Sequence, residues 1–210
     1  METRRIISEI ENGNYDNLFL DIYVDEDKIS YQKQRYVNAI ESYIEEFGED
    51  DVEIYSAPGR SEVGGNHTDH QHGEILAASI NLDAIGIVKK TDDMKVSILS
   101  KGYTLTTISL ENLDMQEEEK ETTIALIKGV VAGLANRGYK IGGFKAYITS
   151  DVLIGAGLSS SAAYETLIGN IVSGLYNNMS VSAEEIAIIG QFAENVYFGK
   201  PCGLMDQMAC

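Results

Sequence analysis

Positive charge is scarce in this sequence. Its 210 residues carry 16 lysines and arginines against 33 aspartates and glutamates, a formal net charge of −17 with a sequence pI near 4.4. A surface this acidic repels polyanions, so neither a nucleic-acid partner nor an anionic membrane surface is expected. Cysteine is nearly absent. Cys202 and Cys210 make no disulfide framework, and a reducing, cytoplasmic setting is predicted. With two prolines there is no Pro-rich linker, and no repeat or low-complexity segment breaks the chain. No run of 18 apolar residues offers a membrane span. The opening Met1-Glu-Thr-Arg-Arg-Ile-Ile lacks the apolar core and small-residue cleavage site of a secretion signal. What remains is 44% hydrophobic, enough for a proper core, in a length that suits one large domain or two small ones.

The patterning predicts an α+β fold, a mixed sheet packed with helices. Residues 1–50 read as a short lead-in and one helix, in which Tyr36, Ile40, Tyr43, Ile44 and Phe47 recur at helical spacing before Gly48. Val52 to Ser56 reads as a strand closing on an Ala57-Pro58-Gly59 turn. Three strand-like runs follow, around residues 85–88, 96–99 and 104–110. The charge-rich Glu117 to Glu121 reads as a solvated approach to a helix carrying Ile124, Ile127, Val131 and Leu134. Phe144, Ala146 and Ile148 alternate as a strand, and a helix then runs to about Tyr176. Ser182-Ala-Glu-Glu185 has capping-box spacing and opens a last helix ending near Phe198-Gly199. Blocks of strands and helices, rather than strict alternation, favour α+β over α/β.

Chemistry concentrates in three places. In Leu153-Ile-Gly-Ala-Gly-Leu-Ser-Ser-Ser-Ala-Ala163 a strand leads through two glycines into three serines where a helix begins. Free backbone N–H groups and the positive end of a helix dipole suit a phosphate, and serine hydroxyls add donors or a ligand to Mg²⁺. No Gly-Lys-Ser/Thr follows, so this is not a Walker A loop. With no lysine in the loop, phosphates would rest on oriented amides, a divalent cation and an arginine from elsewhere. The plain alternative is a glycine turn with a serine cap.

The second place is residues 57–73, where His67, His70 and His72, all the histidines of the chain, surround Asp69. Two chemistries compete there, a zinc-type site and a loop of adjacent donors and acceptors (Asn66, His67, Asp69) able to grip a polyol, beside an ordinary polar surface loop. Arg60 stands ready to face a transferring phosphoryl group. The third is Ala193 to Gln207, where Asp206 sits in an apolar stretch behind Pro201 and Gly203. A carboxylate there is a base, an orienting acceptor, or a helix cap. Cys202 reads as a packed side chain rather than a nucleophile.

Taken together, these segments resemble the galactokinases, a branch of the GHMP small-molecule kinases. Arg60-Ser-Glu-Val-Gly-Gly-Asn-His-Thr-Asp-His70 is similar to the signature G-R-V-N-L-I-G-E-H-T-D-Y. Residues 155–163 are similar to the family's phosphate motif, and Pro201-Cys-Gly-Leu-Met-Asp-Gln207 to P-C-G-I-M-D-Q. The resemblance spans roughly residues 52–210. It implies the GHMP-kinase N-terminal domain (the ribosomal protein S5 domain 2-like fold) and transfer of the ATP γ-phosphate to the anomeric hydroxyl of galactose.

By the same resemblance, Asn66, His67 and Asp69 would contact sugar hydroxyls, with Gly203 lending a backbone contact. Asp206 would take the hydroxyl proton with Arg60 as its counter-charge. Gly155, Ala156, Gly157, Leu158, Ser159, Ser160 and Ser161 would wrap the ATP phosphates, and Ser161 and Glu194 would hold Mg²⁺. The implied partners are a sugar and ATP. A second domain carrying a further glycine-rich motif would follow Gln207, and residues 1–210 alone would turn over little. Asn66 stands where the family has glutamate, and His70 where it has tyrosine, so the sugar side has drifted more than the phosphate side. A sugar sensor on the same fold, or a GHMP kinase for another sugar or alcohol, are the rival readings.

Overall fold

A computed structural model describes residues 1–210. Strands β1 (Glu53–Gly64), β2 (Leu76–Lys90), β3 (Lys95–Ser100), β4 (Thr106–Ser109) and β5 (Phe144–Ser150) form one mixed sheet in the order β1-β2-β5-β3-β4. Only the β3–β5 pairing is parallel. Helices cover both faces. On one side α1 (Thr3–Glu11), α2 (Asp16–Tyr23) and α3 (Ile29–Phe47) enclose a core with Ile85, Ile87 and Tyr147. On the other, α4 (Thr123–Asn136), α5 (Ser160–Asn177) and α6 (Ala183–Phe192) enclose a larger one with Ala84, Val88, Phe144, Ala146 and Ile148. The pleat alone separates the two sets, because successive side chains of β2 and β5 point to opposite faces. A central strand covered on both faces reads as a continuous apolar run, which is what Ala84 to Val88 shows.

The structure departs from the sequence expectations at four places. The lead-in is two helices, α1 and α2, where Thr3, Ile6, Ile10, Phe19 and Tyr23 turn inward. Segments of nine and eight residues are too short to stand as helices without tertiary packing, even where, as in α1, the apolar residues share one face. Ala57-Pro58-Gly59 is no turn: β1 runs through it with a register shift between Pro58 and Arg60. β1 is an edge strand, where a proline forfeits no ladder bond. The run 104–110 contributes only the short β4. The last long helix stops at Phe192 and continues as a π-helical turn, Ala193–Phe198, and a short α7 (Met205–Ala209) follows.

A buried ionic cluster fastens α2 and α3 to the sheet. Arg35 Nη1 donates to Asp83 Oδ1 at 2.6 Å and Arg35 Nη2 to the Asp83 carbonyl at 2.8 Å. Tyr23 and Ser56 hydroxyls donate to Asp83 Oδ2. Arg35 and Asp83 are 7% and 3% exposed, so each charge depends on the other. Asp83 pairs with Pro58 across the sheet, so this cluster anchors β1 two residues before Arg60.

Candidate active site

The loop from β5 to α5 is shaped by left-handed residues. Gly155 has φ +76°, Gly157 φ +73° and Ser159 φ +57°. The first two are glycines because a side chain is strained there. Ser159 bears that strain itself as the N-cap of α5, and no side chain caps the helix. The donors of the first turn therefore lack an intrahelical or capping partner. The Ser159 hydroxyl is itself buried without a hydrogen-bond partner. An 18-residue helix presenting unmatched N–H groups beside an orphaned hydroxyl is equipped to take an anion.

β1 passes beneath this loop closely enough to touch it. A Cβ at Gly59 would stand 2.9 Å from the Leu158 carbonyl, so only glycine fits. Arg60 N donates to that same carbonyl at 3.2 Å, and Arg60 Nη1 donates to the Gly157 carbonyl at 2.5 Å. The rest of the guanidinium reaches Asp206 on α7: Nε and Nη2 both lie 2.8 Å from Oδ1. One buried arginine thus fixes the loop and the aspartate in a single geometry.

Residues 65–73 form the opposite wall. Asn66 and His67 take left-handed φ values of +56° and +53°. His67 N donates to Glu62 Oε1 at 2.8 Å, and its Nε2 lies 3.8 Å from Asp206 Oδ1. Asp69 Oδ2 accepts the Met205 N–H at 2.9 Å, which ties this loop to the start of α7. Burial raises the Asp69 pKa, but the Met205 N–H, His67 and the His70 N–H outweigh it and hold the carboxyl below its ordinary value. Its Oδ1 is buried and unpartnered. A Cβ at Gly203 would collide with the Asp69 carboxylate, so the chain approaches there only as glycine.

The third wall is the π-helical turn. Glu194, 3% exposed, accepts Ser161 Oγ at 3.3 Å on Oε1 and Gln207 Nε2 at 3.0 Å on Oε2. Ser161 and Glu194 thus supply paired hard oxygen donors, the chemistry that fits Mg²⁺. Gln207 Nε2 also donates to Glu165 Oε2 at 3.1 Å. Burial first, and the Glu194 charge second, push the Glu165 carboxyl up to about 9, so it stays protonated at neutral pH. Burial and the Glu194 charge likewise push the Cys202 thiol up to about 12, so it is a packed side chain and not a nucleophile.

These walls enclose a cavity of about 760 Å³ lined by Arg60, His67, residues 155–161, Glu194, Gly203 and Asp206, among others. Asn66 and Asp69 stand outside its lining, Asn66 exposed and Asp69 behind Gly203. The zinc-type reading of the histidines fails: no group of three or more His, Cys, Asp or Glu side chains is placed to hold a metal. His67 turns toward Glu62 and Asp206, whereas His72 is exposed and outside the cavity. Sequence reasoning missed Glu165 and Lys200. Glu165, four residues beyond Ser161, sits at helical spacing on the Ser161 face, a legible signal; Lys200 gave none before the fold was known.

This fold is that of a known class. Residues 125–210 match the family model "GHMP kinases N terminal domain", and residues 41–90 match "Galactokinase galactose-binding signature". Over these two segments the chain is similar to the GHMP kinases, and residues 125–210 correspond to the family's N-terminal domain. Its curated relatives are galactokinases. That of Clostridium tetani is 32% identical over 182 residues, covering 86% of this chain and 46% of its own length. That of Pyrococcus furiosus is 38% identical over 154 residues, covering 73% and 42%. Among solved structures, Lactococcus lactis galactokinase complexed with galactose superposes with a TM-score of 0.74 at 32% identity, covering 80% of this chain and 44% of that one. Methanococcus jannaschii mevalonate kinase shares the fold at 20% identity and a TM-score of 0.64, covering 75% of this chain and 50% of that one. The chain spans about half the length of the curated relatives it matches.

Proposed function

We propose that residues 1–210 are the sugar- and nucleotide-binding half of a galactokinase-type kinase that phosphorylates the anomeric hydroxyl of galactose from ATP. The observation that carries this reading is the Arg60–Asp206 pair lying in the same cavity as the glycine–serine loop. Both contacts from Arg60 fall on Asp206 Oδ1, and Oδ2 accepts no hydrogen bond from the chain, so Oδ2 is the oxygen presented to substrate. The sugar hydroxyl donates its proton to that carboxylate as its oxygen bonds to the γ-phosphorus. The bond from the γ-phosphorus to the β–γ bridging oxygen breaks, and ADP leaves. Arg60 fixes the carboxylate and stands beside the charge that develops.

On the sugar side, His67 lines the cavity, and the unpartnered Asp69 Oδ1 is an acceptor still to be satisfied. Gly203 gives backbone access, and Asn66 stands at the rim. On the phosphate side, the orphaned Ser159 hydroxyl and the start of α5 receive the polyphosphate. Ser161 and Glu194 would hold Mg²⁺, which when bound neutralises phosphate charge. Closure over the nucleotide falls to chain that the relatives have outside the matched half, so the 210 residues alone are expected to turn over weakly. The same reading sets the reaction in the cytoplasm, where Cys202 and Cys210 stay reduced.

The test is a panel of sugars with Mg²⁺ and ATP presented to the full-length kinase, with products read by ³¹P NMR. Galactose 1-phosphate is the expected product. A different sugar phosphate would reassign the acceptor and point to Asn66, where an amide replaces the family's carboxylate, as the residue that changed the choice. Sugar binding without any phosphoryl transfer would turn the reading into a sensor.

A further inference from the structure

The phosphate loop contains no lysine or arginine between Leu153 and Ala163, in a chain of net charge −17. The cavity nevertheless has two such side chains in its walls, Arg60 and Lys200. Arg60 is spent: its Nε and Nη2 hold Asp206 and its Nη1 holds the Gly157 carbonyl. Lys200 is not. Its side chain is 66% exposed, and its one ionic neighbour is Glu194 Oε1 at 3.7 Å, beyond hydrogen-bond distance.

Its backbone, by contrast, is fixed. Gly199 at φ +86° closes the π-helical turn, and the Gly199 and Lys200 N–H groups both donate to the Glu194 carbonyl, at 3.0 and 3.1 Å. Downstream, Cys202 N donates to Asn195 Oδ1 at 2.6 Å, stapling the segment to the same turn. Lys200 is therefore a free ammonium on a held backbone. That ammonium approaches the same Glu194 oxygen that accepts Ser161 Oγ, so it stands at the first turn of α5 where the unmatched N–H groups face the cavity.

We propose that Lys200 is the phosphate-loop cation, supplied from 40 residues downstream, and that its ammonium contacts the polyphosphate of bound nucleotide. The inference rests on the phosphoryl-transfer reading above. A triphosphate at the start of α5 offers several charged oxygens against the single carboxylate that neighbours Lys200 now, and a charge-assisted bond to phosphate is the stronger one. The backbone needs no further ordering, and only the side chain must settle.

The experiment compares wild type, Lys200→Met and Lys200→Arg in the full-length kinase. Calorimetric titration gives dissociation constants for ATP with Mg²⁺, for AMP, and for galactose. Lys200→Met is expected to weaken ATP about tenfold, to leave AMP and galactose within about twofold of wild type, and to be largely rescued by Lys200→Arg. Retained galactose affinity shows that the variant is folded. ATP affinity unchanged in Lys200→Met would overturn the proposal, as would an equal loss for AMP and galactose, which marks a structural role. A wild-type protein that binds neither ATP nor sugar would instead overturn the phosphoryl-transfer reading itself.

Discussion

Arg60 and Asp206, 146 residues apart in sequence, meet with two guanidinium nitrogens on one carboxylate oxygen, each at 2.8 Å. The same guanidinium bonds the Gly157 carbonyl, so the groups proposed for acid–base chemistry and for phosphate binding share one side chain. Lysine keeps the charge but cannot span both partners. Arg60→Lys is expected to lower kcat by about 10²–10³ and to raise KM for ATP as well. Steady-state kinetics with ATP and sugar varied separately would check this, and a variant altered in kcat alone would detach the loop from Arg60.

Glu165 makes stability depend on pH with a defined sign. Its folded pKa is raised to about 9 by burial and the Glu194 charge, whereas the unfolded group titrates in the ordinary carboxylate range. Between those values the unfolded state has lost the proton and the folded state keeps it, so this group's contribution to stability falls as pH rises from about 5 to about 9. The slope for one such group is at most about 1.4 kcal/mol per pH unit. Glu165→Gln should therefore gain stability over wild type as pH rises through that window. Urea unfolding at intervals of one pH unit measures it, and parallel curves for the two proteins would contradict the assignment.

Asp83 holds Arg35 in a place from which water is excluded. Asp83→Ala removes the nearest counter-charge of that guanidinium, leaving Asp151 at 3.4 Å, and is expected to cost about 3 kcal/mol, seen as a lower urea midpoint. Because Asp83 pairs with Pro58, ligand affinity should fall with it.

Gly203 and Asp69 are in contact that admits no Cβ. Gly203→Ala should weaken sugar binding about tenfold or more while ATP affinity changes little, since the loop at 155–161 is on another wall. Separate titrations with the two ligands distinguish this from general unfolding.

Much of this site is legible without coordinates. The glycine–serine loop, Arg60 and Asp206 each have an ordinary structural reading alone, and it is the three motifs together that resemble one family; the structure brings them to one cavity. Ser161 and Glu194, which the resemblance names together as Mg²⁺ ligands, lie 3.3 Å apart. Less could be read where long-range geometry decides. Asp69 looked like a free sugar ligand, yet one of its oxygens secures α7 through Met205. Pro58 and Gly59 looked like a turn, but pairing with β2 carries β1 through them and delivers Arg60 beneath the loop. Glu194 lies on a π-helical turn, in which one extra residue re-aims the chain, and no local pattern announces such a turn. The two N-terminal helices escaped because each is only eight or nine residues long and owes its order to packing on β2 and α3.

The central claim is that Asp206 takes the sugar's proton in a cavity built by Arg60 and the loop at residues 155–161. Asp206→Asn keeps the shape and removes the acceptor charge. With full-length kinase, single-turnover phosphoryl transfer measured beside sugar affinity tests the claim directly. The expected result is a loss of about 10²–10⁴ in rate with the sugar dissociation constant within a few-fold of wild type. Transfer at the wild-type rate by Asp206→Asn would contradict it.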